Sequence, residues 1–255
     1  MERNLMIKTV FFDLGNTILD YHSGNLTDEE KDIIGLWRMH GKLKEYGIEV
    51  QFEELMNTFY YPWVSSLSKR DESEREFDIM SFLPEKIKES SGLIMELILE
   101  FHEPSARFAL PIEGIREVMN EIKSRGMKTG IISNSTVPGR CHDMTLKYLN
   151  LNEFIDYSFY SYDIGIRKPS RDIFRMALAK TGTLACESLM IGDRYEMDII
   201  PAQEIGMNAI WYTKDNDLTD NNDLTDNNDL TDNNDLTDNN DLTDNNDLTD
   251  NNDLT

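Results

Sequence analysis

Short apolar runs alternate with amphipathic helical patterns along most of this chain, and the links between them are too short for anything but βα units. The runs "KTVFF" (Lys8 to Phe12), "KTGIIS" (Lys128 to Ser133), "DYSFYS", "SLMIGD" and "NAIWY" are rich in β-branched and aromatic residues, which predicts strands, the first of them buried. Between them Ile115, Val118, Met119 and Ile122 share one helical face that Gly126 stops. Ser170 predicts an N-cap for a helix with Ile173, Phe174, Ala177 and Leu178 on one side. Residues 201–205 read as another helix. Such alternation implies an α/β fold, with a Rossmann-like, mainly parallel sheet and helices on both faces.

The alternation is interrupted once. From Leu26 to Phe101 the apolar residues recur at helical spacing, with Gly47, Pro62 and Pro84 as breaks. This predicts a block of four helices without strands, inserted after the first strand as a lid, with Trp37, Phe52 and Phe59 in its core. After Pro104 the strand–helix texture returns. The expected division is a core of residues 1–21 and 105–214, a helical cap of residues 22–104, and a tail of residues 215–255.

The tail repeats the hexapeptide "NDLTDN" from Asn216 onward, with one leucine as its sole apolar residue per repeat. It cannot bury enough surface to offset chain entropy, so disorder is expected there. It carries 14 of the 48 acids and no base, so the net charge of −23 shrinks to −9 over the rest of the chain. An acidic body speaks against nucleic acid and anionic membrane as partners. No run reaches the length of a membrane span, the first residues lack a signal-peptide pattern, and the two cysteines, Cys141 and Cys186, suggest no disulfide framework. A cytoplasmic address is the expectation.

Parallel sheets place their sites beyond the C-terminal ends of the strands. Four such places carry reactive residue types: Asp13 after "VFF", Ser133-Asn134 after "TGII", Lys168 in "DIGIRKPS", and Asp193 after "LMIG", with Asp198 five residues on. Singly, each reads as well as a turn residue, a helix cap or a surface lysine. Together they make carboxylates, a hydroxyl, an amide and an ammonium at one edge of one sheet. Carboxylates without histidines suit Mg²⁺, and the donors suit a phosphate.

"FFDLGNTILD", "IISNS", "DIGIRKPSRDIF" and "MIGDRYEMDIIPAQEIGMNAIWY" resemble, in order and spacing, the four motifs of the haloacid dehalogenase-like hydrolase superfamily. The resemblance runs from about residue 6 to residue 213, and the helical block matches the branch with an α-helical cap after the first motif. It implies a phosphohydrolase acting on a small phosphorylated metabolite. Asp13 would be the nucleophile that forms an aspartyl phosphate. Ser133 and Asn134 would bind the phosphoryl group, and Lys168 would neutralise charge on it and on Asp13. Mg²⁺ would be held by Asp13, the carbonyl of Gly15, Asp193 and Asp198.

One position departs from the pattern. Phosphatases of the superfamily usually carry a second Asp two residues after the nucleophile, as general acid and base, and here that residue is Gly15. General acid–base help is typically worth ~10²–10⁴ in rate. Three readings follow: a phosphohydrolase in which water or another side chain replaces the acid, with Asp20 and His22 nearby in sequence; a 2-haloacid dehalogenase, or a phosphonate hydrolase using a cap lysine such as Lys42 or Lys44; or a phosphate-binding, regulatory relative with little turnover. The retained acids of "GDRYEMD" favour the first.

Overall fold

A computed structural model describes residues 6–22, 24–70, 76–90 and 92–213, which fall within one compact unit. The tail expectation, residues 215–255, lies outside the described residues. Among the described residues five strands form a wholly parallel sheet in the order β5-β4-β1-β6-β7. They are β1 (Thr9–Phe12), β4 (Lys128–Ser133), β5 (Tyr157–Tyr160), β6 (Ser188–Gly192) and β7 (Asn208–Trp211). β1 lies at the centre, with Phe11 in register with Gly130 on one side and Met190 on the other. The chain builds outward to β5, returns across β1, and builds outward again to β7. The order therefore reverses beside β1, the crevice where open α/β sheets place their ligands.

Helices cover both faces, as the alternation predicts. On one face α6 (Ile115–Ser124) and α7 (Gly139–Tyr148) bury Met119, Ile122 and Leu146 against Val10, Phe12 and Ile131. On the other, α9 (Arg171–Thr181) and α10 (Ile200–Glu204) bury Ile173, Phe174 and Ala202 against Phe11, Ile132 and Met190. Each of the larger side chains among these contributes roughly 1.5–3 kcal/mol. Ser170 caps α9 by accepting from the Asp172 N–H.

The helical block stands between β2 (Leu19–Asp20) and β3 (Leu110–Pro111), which pair antiparallel. Both ends of the insertion thus leave through one short ribbon beside the C-terminal end of β1. The block contains α1 (Asp28–Glu45), α2 (Phe52–Leu55), α3 (Tyr61–Leu67), α4 (Glu85–Lys88) and α5 (Ile94–Phe108). α1 opens on a full capping box, Thr27 with Glu30. α1 and α5 approach closely at Gly35, where a Cβ would overlap the Phe101 carbonyl. Leu36, Met39, Phe59, Leu97 and Phe101 form its core together with Val137 and Cys141 from the α7 end of the sheet domain, so the block is seated on that domain. No helix among the described residues is long and apolar enough to cross a membrane.

Three local expectations need correction. Pro62 does not break a helix: α2 continues into α3 through a π turn, Met56–Tyr60, and Pro62 follows it near the start of α3, where a missing N–H costs little. Pro104 lies inside α5, which runs four residues past it because tertiary packing of its buried face on α1 and α7 outweighs the lost hydrogen bond. Residues 77–87 of the predicted helical block form only a 3₁₀ turn (Ile79–Phe82) and, beyond the expected break at Pro84, the single turn α4. Phe59 is in the block's core as expected, but Trp37 is 55% exposed and stacks on Phe52 with ring centroids 3.8 Å apart.

Candidate active site

β1 stops at Phe12, and its hydrogen-bonding ladder with β6 extends one residue further, as the Asp13 N–H donates to the Ile191 carbonyl at 2.8 Å. That bond fixes Asp13 at the rim of the central strand. The chain then turns tightly: Ile18 and Leu19 both donate to the Leu14 carbonyl, and Asn16 sits at φ +56°, a left-handed conformation that Asn tolerates. Asp13 is 8% exposed.

The sheet brings three of the expected acids together. One carboxylate oxygen from each of Asp13, Asp193 and Asp198 lies within 4.8 Å of the others. Lys168 stands among them, 2% exposed, its Nζ donating to Asp13 Oδ1 at 2.6 Å and to Asp198 Oδ1. Asp198 is held from its other side by the Arg194 N–H, 3.0 Å from Oδ2. It belongs to a π turn, Tyr195–Ile199, that swings it back under the end of β6. This packing requires Gly192, because a Cβ there would overlap the Asp198 carboxyl group. Asn16 hydrogen-bonds to Asp193.

Three carboxylates and one ammonium leave a deficit of positive charge. Burial raises the Asp13 pKa to about 6 against the pull of Lys168, with Asp198 and Asp193 adding to the rise. Burial and Asp198 raise Asp193 likewise. Burial works against the Lys168 ammonium, but Asp13 and Asp198 outweigh it and raise its pKa. An all-oxygen cluster lacking positive charge fits a hard divalent cation such as Mg²⁺. A raised carboxyl pKa means the folded protein holds that proton more firmly than the unfolded chain. Stability without metal therefore falls as pH rises from about 4 through 6, by up to about 3 kcal/mol from Asp13 alone. Protons and a divalent cation held there would compete for the same oxygens, so the affinity for any added Mg²⁺ should fall about tenfold per pH unit below 6. Melting curves with and without Mg²⁺ at pH 5 and pH 7.5 measure both effects; an equal Mg²⁺ shift at the two pH values would contradict this linkage.

Asn134 does something the sequence did not suggest. Its Nδ2 donates to the Lys168 carbonyl at 2.9 Å and its Oδ1 accepts the Lys168 N–H at 2.7 Å. The amide is thus committed to clamping the main chain that presents the ammonium. Ser133 Oγ makes only a long contact, 3.4 Å, to the Asn134 carbonyl, so its hydroxyl is available at the rim.

A cavity of about 380 Å³ opens between the helical block and this edge, in the range of small-ligand pockets. Gly15, Ser133 and Asn134 form its floor, with Trp63, Phe101, Asp32 and Arg70 from the block on its walls. Burial raises the Asp32 pKa to about 7. Tyr21 and His142 also line it. The Ser135 hydroxyl donates to the Val137 carbonyl at 2.6 Å and therefore accepts from His142 Nε2–H at 2.6 Å. His142 Nδ1 is left to accept the Tyr21 hydroxyl at 3.0 Å. Burial lowers the pKa of His142 to about 3 and of His102 to about 4, so both rings are neutral at pH 7.

A Cβ built on Gly15 meets nothing within 4 Å, and the backbone there is not left-handed. His22 lines the cavity, but its Nδ1 is engaged with Asp28 Oδ2 at 2.7 Å, and its N–H binds Asp20 Oδ1 at 2.9 Å. Lys42 and Lys44 do not occur among the described residues that line the cavity. Lys42 pairs with Glu96 and Glu45, which raise its pKa, the opposite of what a Schiff-base lysine needs.

The sequence reading missed Asn16, Gly192 and the main chain of Arg194. The signals were faint: an Asn at a tight turn after an acid, and a Gly just before one. For Gly192→Ala the expected result is a loss of about 1–3 kcal/mol of stability from overpacking, with weaker Mg²⁺ binding, read from melting and calorimetry. A variant with unchanged Mg²⁺ affinity would show that Asp198 can retreat without cost.

A model of the haloacid dehalogenase-like hydrolases matches residues 7–206. The chain is 28% identical over 207 residues to a glyceraldehyde 3-phosphate phosphatase of Pyrococcus abyssi, covering 81% of this chain and 82% of that one. It is 23% identical over 216 residues to pyrophosphatase PpaX of Oceanobacillus iheyensis, covering 84% and 88%. Among solved structures, a HAD phosphatase from Thermococcus onnurineus superposes with a TM-score of 0.54 at 19% identity over 83% of this chain and 88% of that one. A 2-haloacid dehalogenase from Pseudomonas syringae does so with a TM-score of 0.53 at 22% identity over 81% and 86%. At such identity both structures speak to the fold alone.

Proposed function

The chain belongs to the haloacid dehalogenase-like hydrolase family, and from that premise we propose that it is a Mg²⁺-dependent phosphohydrolase of a small phosphomonoester, working through an aspartyl phosphate on Asp13. The observation that carries this reading is the Lys168 ammonium buried between Asp13 and Asp198 at the end of the central strand. Relatives named as phosphatases support it.

In this reading the Lys168 bond occupies Asp13 Oδ1, and Oδ2 attacks phosphorus in line. The phosphorus–oxygen bond to the leaving group breaks, and its electron pair stays on the leaving oxygen. Ser133 donates to a phosphoryl oxygen, and Lys168 offsets charge on Asp13 and on the transferring group. Asn134 acts at one remove, holding the Lys168 main chain. Asp13, the Gly15 carbonyl, Asp193 and Asp198 would hold Mg²⁺, which when bound supplies positive charge to the phosphoryl oxygens. Water then attacks the aspartyl phosphate at phosphorus, returning the Asp13 carboxylate and releasing phosphate. The helical block, as a cap, would exclude bulk water and select the leaving group.

With Gly15 in place of an acid, the leaving oxygen takes its proton from water. This favours leaving groups that depart without a proton. A screen of alkyl, aryl and acyl phosphates and 2-haloacids, with and without Mg²⁺, tests the reading. Phosphate release that requires Mg²⁺ is the expected result. Metal-independent halide release would point to the dehalogenase reading, and binding of phosphate esters without turnover to the regulatory one.

A further inference from the structure

Glu76 follows α3 in the helical block, and its side chain is 2% exposed. Its carboxylate takes Arg70 as a two-point fork, Nε to Oε1 at 2.6 Å and Nη2 to Oε2 at 2.7 Å. The same Oε2 accepts the Ser161 hydroxyl at 2.6 Å. Arg167, 1% exposed and the neighbour of Lys168, brings its Nε to 3.8 Å from that oxygen and its Nη1 to the Arg70 carbonyl. Ser161 Oγ in turn accepts the Ser135 N–H at 2.8 Å. One carboxylate therefore joins a residue on the cavity wall, Arg70, to both loops that form the reacting edge: the one after β4, through Ser161 and Ser135, and the one that carries Lys168, through Arg167.

We propose that Glu76 is a positioning residue that couples the seating of the helical block to the placement of the Ser133–Ser135 loop and of Lys168. A buried carboxylate that takes a guanidinium fork and a hydroxyl, with a second guanidinium in ion-pair range, has little freedom, because a shift breaks the charge-assisted bonds from Arg70 and Ser161. Lys168 inherits that restraint on its N-terminal side, while Asn134 clamps its own main chain. The role rests on the phosphohydrolase reading for its kinetic consequence, but the mechanical link does not.

The test compares Glu76→Gln, Glu76→Asp, Ser161→Ala and the double variant Glu76→Gln/Ser161→Ala, using p-nitrophenyl phosphate with Mg²⁺ well below each melting temperature. Ser161→Ala keeps the Arg70–Glu76 pair, so its fold is the safer one. Its kcat should fall about tenfold with KM little changed, and that of Glu76→Gln about a hundredfold, as expected when reacting groups are displaced by an ångström or less. Glu76→Asp should recover part of the loss. The double variant should be no worse than Glu76→Gln, because both act through one contact. Unchanged kcat in the folded single variants, or losses that multiply in the double, would overturn the proposal. Hydrogen exchange is the second arm and needs no turnover: amides of residues 161–168 and Ser135 should exchange faster in Glu76→Gln than in the natural protein. Unchanged exchange overturns the link even if the natural protein releases no phosphate, whereas faster exchange in a protein without turnover supports the link and counts against the phosphohydrolase reading alone.

Discussion

Asp13→Asn should abolish phosphate release, by about 10⁴-fold or more, the scale seen when a covalent nucleophile is removed. The same change should stabilise the metal-free protein above pH 6. Asp13 is buried beside Asp193 and Asp198, and its ionisation is opposed first by desolvation and then by those neighbours. An amide of the same size removes one of three negative charges while keeping an oxygen for the Lys168 ammonium. Lys168 still has Asp198 as its counter-ion. Higher stability with no turnover would separate a chemical role from a structural one. Turnover above about 1% of the natural rate, far more than survives the loss of a covalent nucleophile, would remove Asp13 from the nucleophile role. Phosphate release and melting temperature at pH 7.5 without metal are the two measurements.

Gly15→Asp should raise the rate for alkyl phosphates by about 10²–10⁴-fold, the usual worth of general acid–base help. It should change aryl and acyl phosphates far less, because their leaving oxygens need no proton. The physical condition for this gain is already met. The site of the new Cβ is open, the backbone is compatible, and the position faces the cavity floor beside Ser133. In the natural protein the rate should depend steeply on leaving-group pKa, and in the variant the dependence should flatten. A flat dependence in the natural protein would show that another cavity group already supplies the proton. Tyr21, hydrogen-bonded to the neutral His142, is then the first residue to substitute with phenylalanine.

The legibility of the fold from sequence differed by element. The central strands β1 and β4 were readable because burial on both faces leaves short β-branched and aromatic runs. The caps and stops at Ser170 and Gly126 were readable because they are local chemistry. The prolines misled. Pro62 and Pro104 carry the local penalty that suggests a break, yet one sits just after a π turn and the other in a helix held by its neighbours. Trp37 misled in the other direction, since an aromatic at helical spacing suggests burial, while the structure leaves it half exposed on Phe52.

The candidate site shows the same contrast. Residue type and position at strand ends were enough to single out Asp13, Ser133, Lys168, Asp193 and Asp198, because a parallel sheet sends every strand end to one edge. That rule needs no knowledge of contacts. What each group does with its hydrogen bonds depends on approach distances across separate loops. Asn134 was expected on the substrate and instead clamps Lys168. Glu76 and Arg167, which no motif announces, are buried against each other. Gly192 looked like part of a strand and is the gap that admits Asp198.

Local sequence therefore sufficed for the alternation of strands and helices, the point where the helical block interrupts it, and the chemistry available at the strand ends, since periodicity, caps and turn residues act over a few neighbouring positions. Which of those groups pair, which are buried, and that the position at Gly15 is left open follow from long-range packing. Burial and electrostatic coupling are properties of residues brought together from distant parts of the chain, and Asp13 meets Lys168 and Asp198 only after the whole sheet has formed around β1.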